Sequence, residues 1–389
     1  MELSKKIMTV EPSATLAITS EAKKLVQSGE DVVILAAGEP DFDTPEAVKE
    51  AAIKAIREGR TKYTPASGTS LLKEAVCHKL SRDNDLDYDV NEVVISNGAK
   101  HSLYNVLQVI CNPGDEILII PPYWLSYPEM AKLAGARPKV LPVREENAFK
   151  ATAEDIRAAL TKNTRALIMN SPSNPAGVVY EEKELREIAE VCLAGGIMVL
   201  SDEIYEKIIF DGKEHFSIAA VSDEMRAATI LINGVSKSYS MTGWRIGYAA
   251  GDKKIMEMVA TLQSQSTSNP CSISQAAAEY AFSSTDLESE IERNREEFQR
   301  RRDCLMDLLS GEKKLIPFKP AGAFYLFCDI SKCGTDSVTF AKRLLDEKKV
   351  AVIPGGPFGD DRFIRISFAT DLGTIEKGIS RIKEWVKGL

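Results

Sequence analysis

Lys237 stands in the run Val-Ser-Lys-Ser-Tyr-Ser-Met-Thr-Gly-Trp-Arg-Ile-Gly-Tyr, just after the apolar stretch Ala228 to Asn233. A lysine at the mouth of a sheet, followed eight residues later by Arg245, suits a Schiff base to an aldehyde cofactor whose phosphate needs a cation. Asp202 follows a second apolar stretch, Ile197-Met198-Val199-Leu200, so its carboxylate is expected near the sheet rim, partly desolvated and in want of a cationic partner. A protonated pyridine nitrogen would be such a partner, and would let the ring draw electrons from a substrate α-carbon. An aspartate that caps the following helix fits the position equally well. Tyr205 lies three residues further on, where one helical turn would bring its hydroxyl to the same side, as a donor to a ring oxygen or as a packing tyrosine.

Other polar residues fall at similar places. Asn97-Gly98-Ala99 opens a helix expected over Ala99–Ile110, whose free N–H groups and dipole suit a phosphate, with Gly98 allowing close backbone approach. Such a short glycine loop is more often just a tight connection, so the phosphate reading needs its neighbours, and Arg245 taken alone fits a surface ion pair equally well. Asn170 to Gly177, which contains Asn174, is a polar turn punctuated by proline and glycine, a rigid loop of the kind that presents binding amides. In Phe363-Ile-Arg365-Ile-Ser367-Phe, period-two alternation sets Arg365 apart from Ile364, Ile366 and Phe368. That arginine suits a bidentate clamp on a carboxylate, with a structural salt bridge as the rival.

These residues need a frame, and the frame legible in the sequence is α/β. From about residue 44 helical periodicity alternates with short β-branched runs, as in a mostly parallel sheet covered by helices. Thr44 is expected to cap a first helix with Pro45 at its first position and Gly59 at its end. Strands are expected at Glu92–Ser96, Glu116–Ile120, Arg165–Asn170, Ile197–Ser201 and Ala228–Asn233. Ligands of open α/β sheets bind beyond the carboxyl ends of the strands, which is where Asn97 to Lys100, Ser171 to Gly177, Asp202 to Tyr205 and Ser236-Lys237 fall. After about residue 285 come a charged helix (Asp286–Leu309) and strands at Ala321–Asp329 and Arg362–Ala369, the texture of a smaller α+β domain. The expected division is an N-terminal arm returning to the small domain (1–43), a large domain (44–285) and a small C-terminal domain (286–389).

Composition narrows the function. The chain has 389 residues, 44% hydrophobic and 27% charged, and a net charge of −8, with no basic tract interleaved with aromatics, which disfavours a nucleic-acid surface. Arg300-Arg301-Arg302 is expected on the solvated face of a helix. Seven scattered cysteines without a CxxC pair fit reduced thiols rather than a disulfide framework or a zinc site. With no apolar signal core and no stretch of the ~18 apolar residues a membrane span requires, the expectation is a cytoplasmic protein. His78, His101 and His215 are isolated in the sequence, on helix surfaces or in loops, and no metal-ligand pattern appears. Dinucleotide, Walker, nucleophile-elbow and HExxH signatures are missing, and Gly355 to Gly359 is expected to be a small-domain loop.

In chain order, Asn-Pro-x-Gly, Asp-Glu-x-Tyr, Ser-Lys-x-x-x-Met-x-Gly-x-Arg-x-Gly and Pro-x-Gly-Ala-Phe-Tyr resemble the pyridoxal-phosphate-dependent aminotransferases of fold type I, class I/II, from about Gly38 to Arg365. The resemblance implies a seven-stranded sheet, pyridoxal 5'-phosphate on Lys237, Asp202 on the ring nitrogen, Tyr205 and Asn174 on the ring hydroxyl oxygen, and Trp124 stacked on the ring. It implies phosphate ligands from the Gly98-Ala99-Lys100 backbone, Ser236 and Arg245, with Tyr63 reaching the partner subunit of a homodimer. Gly38, Trp124, Asn174 and Arg365 would hold the substrate's α-carboxylate side. The segments Ala37-Gly-Glu-Pro-Asp-Phe-Asp-Thr-Pro, Pro122-Tyr-Trp-Leu-Ser-Tyr-Pro and Gln263-Ser-Gln-Ser-Thr look like the bacterial aspartate branch, which often accepts prephenate. Animal-type enzymes take the distal carboxylate with a partner-chain arginine, but no arginine lies between Arg245 and Arg293. The bacterial branch uses a lysine and a threonine, matched here by Lys100 and Thr15. Gly234 replaces a phosphate-binding serine, and Ala176 stands where threonine is common. Alternatives are an alanine or aromatic aminotransferase, a C–S lyase of the same cofactor, or a cofactor-sensing regulatory protein.

Overall fold

The structure, a computed structural model, describes residues 2–143 and 147–389. Its large sheet has seven strands in the spatial order Val93–Ser96, Gly247–Ala250, Thr229–Gly234, Met198–Asp202, Thr164–Asn170, Glu116–Ile119 and Arg137–Val140. All pair in parallel except Gly247–Ala250, which runs antiparallel to both neighbours. Helices cover both faces, so the central strands are apolar throughout. Leu167, Met169 and Val199 join one core, with Leu185, Ile188 and Cys192 of the helix Glu182–Gly195. Ala166, Ile168, Leu200 and Ile232 join the other, with Leu103, Val106 and Leu107 of the helix Ala99–Ile110. Each fully buried leucine or isoleucine contributes about 1.5–3 kcal/mol, and sheet register is fixed because a one-residue slip would exchange the two faces.

The five strands expected from the sequence are present with ends shifted by a residue, and two more complete the sheet. Arg137–Val140 lies at the edge, contains Pro138 and buries none of its residues fully, so it lacks the apolar signature. Gly247–Ala250 is four fully buried residues, three of them small. A second sheet orders Ile353–Pro354, Phe363–Ser367, Tyr325–Asp329 and Ile316–Phe318, all antiparallel, shorter at their ends than the runs expected from sequence. The N-terminal segment forms a separate two-stranded sheet, Val33–Ile34 pairing in parallel with Val350–Ala351.

Two expectations fail. The helix Glu46–Arg57 is capped at Pro45 with no side-chain bond, because the Thr44 hydroxyl donates to Ser240 O at 2.8 Å and accepts the Trp244 indole N–H at 2.9 Å. Long-range partners have taken the group that sequence assigned to a local cap. The triplet Arg300-Arg301-Arg302 is also not a solvated face. Only Arg300 is exposed, while Arg301 bonds Asp41 and Glu297, and the fully buried Arg302 holds Asp211 with both terminal nitrogens and lies 4.9 Å from the Phe210 ring centroid. Asp211 and Pro320, remote in sequence, give Arg302 its partners.

Removing a buried ion-pair partner costs roughly 3 kcal/mol. We therefore expect Arg302→Ala to lower the melting temperature in calorimetry by about 5 °C or more, and Arg300→Ala to leave it within about 1 °C.

Candidate active site

Asp202 is the last residue of its strand, paired across the sheet with Asn170 and Ile232. Its side chain lies on the face that carries Leu200, and Tyr127 Oη donates to its Oδ2 at 2.7 Å. Ile204 N donates to Oδ1 at 3.3 Å, and the Asn170 amide donates to the Asp202 carbonyl at 2.9 Å. Burial pushes the carboxyl up to about 6, with the Tyr127 and Ile204 bonds opposing that rise. Among the described residues no lysine, arginine or histidine makes an ion pair with it. The carboxylate thus has two donors and no neutralising cation, the environment that stabilises a protonated ring nitrogen.

Lys237 is partly buried and donates to Gly38 O, with its Nζ 5.7 Å from the Tyr205 ring centroid and 5.6 Å from that of Phe324. Burial, and after it the nearby Arg365 charge, pull its ammonium down to about 8. A fraction of this amine is therefore free at neutral pH, as a nucleophile toward an aldehyde requires. Tyr205 follows Asp202 in hydrogen-bonded turns rather than a helix, and its hydroxyl meets Tyr325 Oη at 3.0 Å.

Arg365 is 2% exposed. It donates from Nη1 to Asn174 Oδ1 and from Nη2 to Ala36 O, each at 3.0 Å, and its guanidinium lies 4.2 Å from the Tyr325 ring centroid. Its Nε is buried without a partner among the described residues. The structural salt bridge that rivalled the clamp reading is not formed among the described residues. A buried guanidinium with an open N–H and no anion is a place made for a carboxylate.

The turn at Asn97-Gly98 shapes a third corner. Gly98 has φ 90° and opens the helix Ala99–Ile110 without a side-chain cap, leaving the first N–H groups free for an anion. A Cβ on Gly98 would lie 2.5 Å from Arg245 Nη2, and one on Gly247 would lie 2.2 Å from Ala99 N. Glycine is thus required where the arginine and the neighbouring strand press on the helix start. Arg245 is held by Thr242 O at 2.9 Å and Asn97 O at 3.3 Å, and Ser236 is buried at the end of the adjacent strand. Gly234 has its own cause, since a Cβ there would meet Gly247 Cα at 2.8 Å. The Lys100 Nζ lies 4.6 Å from the Trp124 ring centroid, its pKa lowered by burial and then by Arg245. Trp124 meets the Tyr127 ring edge-on at 5.4 Å.

The fold therefore brings together Lys237, Gly38, Arg365 and Asn174, then Gly98, Ala99 and Arg245, then Lys100 with Trp124. Two candidates stand apart: Tyr63 is 92% exposed, and Thr15 lies in the first turn of the helix Ala14–Gln27. Sequence reading missed Tyr127 and Tyr325 as partners of Asp202 and Tyr205, although both lie in segments whose motifs were noted. His215 is not isolated, because its Nε2 lies 2.8 Å from the buried Glu203. That pairing joins a loop to a strand end and has no local signature.

The arrangement offers an amine nucleophile, a carboxylate awaiting a cation, an anion cradle and a guanidinium awaiting a carboxylate. Residues 30–382 match the family model for aminotransferase class I and II. The chain is 49% identical to an aspartate aminotransferase of Bacillus sp. (strain YM-2), over 99% of each sequence. It is 44% identical to an aspartate/prephenate aminotransferase of Cereibacter sphaeroides (strain ATCC 17029 / ATH 2.4.9), over 100% of this chain and 99% of the relative. A solved aspartate aminotransferase from Thermus thermophilus with maleate superposes with a TM-score of 0.95 at 40% identity, over 100% of both chains. Motifs and fold agree with these likenesses, and the chain belongs to the class I and II aminotransferases.

Proposed function

We propose that this chain is a pyridoxal-phosphate-dependent aspartate aminotransferase. It takes the amino group of L-aspartate, releasing oxaloacetate, and passes it to 2-oxoglutarate, releasing L-glutamate, in two successive half-reactions. The observation that carries the reading is the buried Arg365, which has no anionic partner among the described residues and shares its surroundings with the depressed amine of Lys237.

Pyridoxal 5'-phosphate, when bound, supplies the electron sink for the pair released at the substrate α-carbon. The chain's own residues do the rest. Lys237 holds the cofactor and then carries the proton to and from that carbon. Asp202 would hold the proton of the ring nitrogen, Tyr205 and Asn174 would orient the ring hydroxyl oxygen, and Trp124 would cover the ring. The backbone of Gly98, Ala99 and Lys100, with Ser236 and Arg245, binds the phosphate. Arg365, with Asn174, Trp124 and Gly38, binds the α-carboxylate, while Lys100 takes the distal one; Thr15, which stands apart from these residues, is assigned to the same end by resemblance to the bacterial branch alone. The Thermus relative solved with maleate, a dicarboxylate, supports a dicarboxylic substrate. Relatives named for both aspartate and prephenate support prephenate as a second amino acceptor.

The reading includes a homodimer with shared sites, to which Tyr63 contributes across the interface. Its 92% exposure, and that of Ile7, Met8 and Leu16 at 51%, 68% and 68%, fit surfaces a partner would cover. It keeps the division into an arm (1–43), a large domain (44–285) and a small domain (286–389). The seven unpaired cysteines fit a cytoplasmic setting.

Two experiments check it. Lys100→Ala should raise KM for aspartate about tenfold or more, the loss of one charged hydrogen bond, and change that for alanine or phenylalanine little; equal losses would refute the dicarboxylate assignment. Capture of pyridoxal phosphate by the cofactor-free chain, trapped on Lys237 with borohydride, should accelerate as pH rises through about 8, because only the unprotonated amine attacks. An ordinary lysine would show that rise near pH 10.5.

A further inference from the structure

Asp202 faces Tyr127, so Ser201 and Glu203, its neighbours along the strand, project to the other face of the sheet. There Glu203 is 1% exposed, and sequence reading gave it no role. Its Oε1 accepts from Ser201 Oγ at 2.7 Å and Ser217 Oγ at 2.6 Å, and its Oε2 lies 2.8 Å from His215 Nε2. Its backbone N–H donates to Ile232 O at 2.9 Å, fixing the residue against the next strand. Hydroxyl and imidazole donors converging on one buried carboxyl form the donor set of a fixed anion.

No lysine or arginine neutralises it among the described residues, and His215 does so only when its imidazole is protonated. Lys79, fully buried on the helix Ser70–Asn84, is paired with Glu206, whose other oxygen accepts the Asn84 amide at 2.9 Å. Glu203 makes no ion pair with a lysine or arginine among the described residues; its one such partner is His215. The remaining groups facing it are the buried hydroxyls of Tyr88 and Tyr248, and Arg226 lies 5.3 Å from the Tyr88 ring centroid. Glu203, Glu206 and His215 offer ligand atoms within 4.8 Å of one another, but Lys79 already occupies Glu206, so the cluster works as an internal charge network. Its influence crosses the strand. Burial is the main cause of the raised Asp202 carboxyl, and the charge on Glu203 adds to it.

We propose that Glu203 is a positioning residue for the transamination, a second negative charge set behind Asp202 that favours a protonated ring nitrogen where Asp202 would hold it. The inference rests on the cofactor reading above. A base at the ring nitrogen gains a proton more readily the more negative its surroundings, and an anion enclosed at the strand end is screened far less than one at the surface.

The test uses the holoenzyme reconstituted with pyridoxal phosphate labelled with 15N in the ring, whose nitrogen resonance reports its proton directly. Glu203→Gln removes the charge and keeps the shape. Glu203→Met gives a second neutral variant should the first fold poorly, and Glu203→Asp restores the charge. Without the anion the protonated ring is disfavoured, so its proton should leave at a pH at least about one unit lower in both neutral variants. The kcat should fall about tenfold with KM for aspartate within about twofold, and Glu203→Asp should recover most of both. Neutral variants that keep the wild-type ring-nitrogen titration, whatever their melting temperature, would overturn the proposal alone. A wild-type chain that takes up no pyridoxal phosphate would overturn the cofactor reading with it.

Discussion

The rest of the structure depends on one constraint: charged groups at the carboxyl edge of the sheet are held out of water without being allowed to neutralise one another. Asp202, Lys237 and Arg365 belong to different segments, and each is anchored by uncharged partners, Tyr127, the Gly38 carbonyl, and Asn174 with the Ala36 carbonyl. An aspartate and a lysine in one apolar site would ordinarily pair. Kept apart, one is pushed up to about 6 and the other down to about 8. Burying charges in this way costs stability, and the cost is borne by the cores on either face of the sheet. Ligand charges can then do what the protein's own are prevented from doing.

That constraint explains the glycines and tyrosines around the site. Gly98 and Gly247 let Arg245 and a strand close on the start of a helix, concentrating positive charge where the helix dipole already points. Gly234 shows the same crowding, and its Cβ clash with Gly247 accounts for the missing serine in steric terms. Tyr127, Tyr205 and Tyr325 serve as donors and ring walls that carry no charge at neutral pH, and burial raises each hydroxyl further above its ordinary range.

Much of this was legible in the sequence, for a local reason. A residue at the end of an apolar run lies at the end of a strand, and in an α/β fold strand ends converge, so Asp202, Lys237 and the Asn97 to Lys100 turn could be assigned to one place before any contact was known. Arg365 was legible from period-two alternation, and its partners were not. What sequence hid was settled by contacts between segments far apart: Tyr127 with Asp202, His215 with Glu203, Thr44 with Ser240, Arg302 with Asp211. Arg137–Val140 was hidden for another reason. It is an edge strand with a proline and no buried face, so neither alternation nor an apolar run marks it.

The central claim is that these separated charges form one site that carries out both halves of an amino transfer. The most direct measurement is the absorption spectrum of the purified chain loaded with pyridoxal phosphate, recorded before and after L-aspartate and again after excess 2-oxoglutarate. The long-wavelength band of the lysine-bound cofactor should fall with aspartate and return with the oxo acid. A band that aspartate leaves unchanged, or no band at all after adding the cofactor, would contradict that claim.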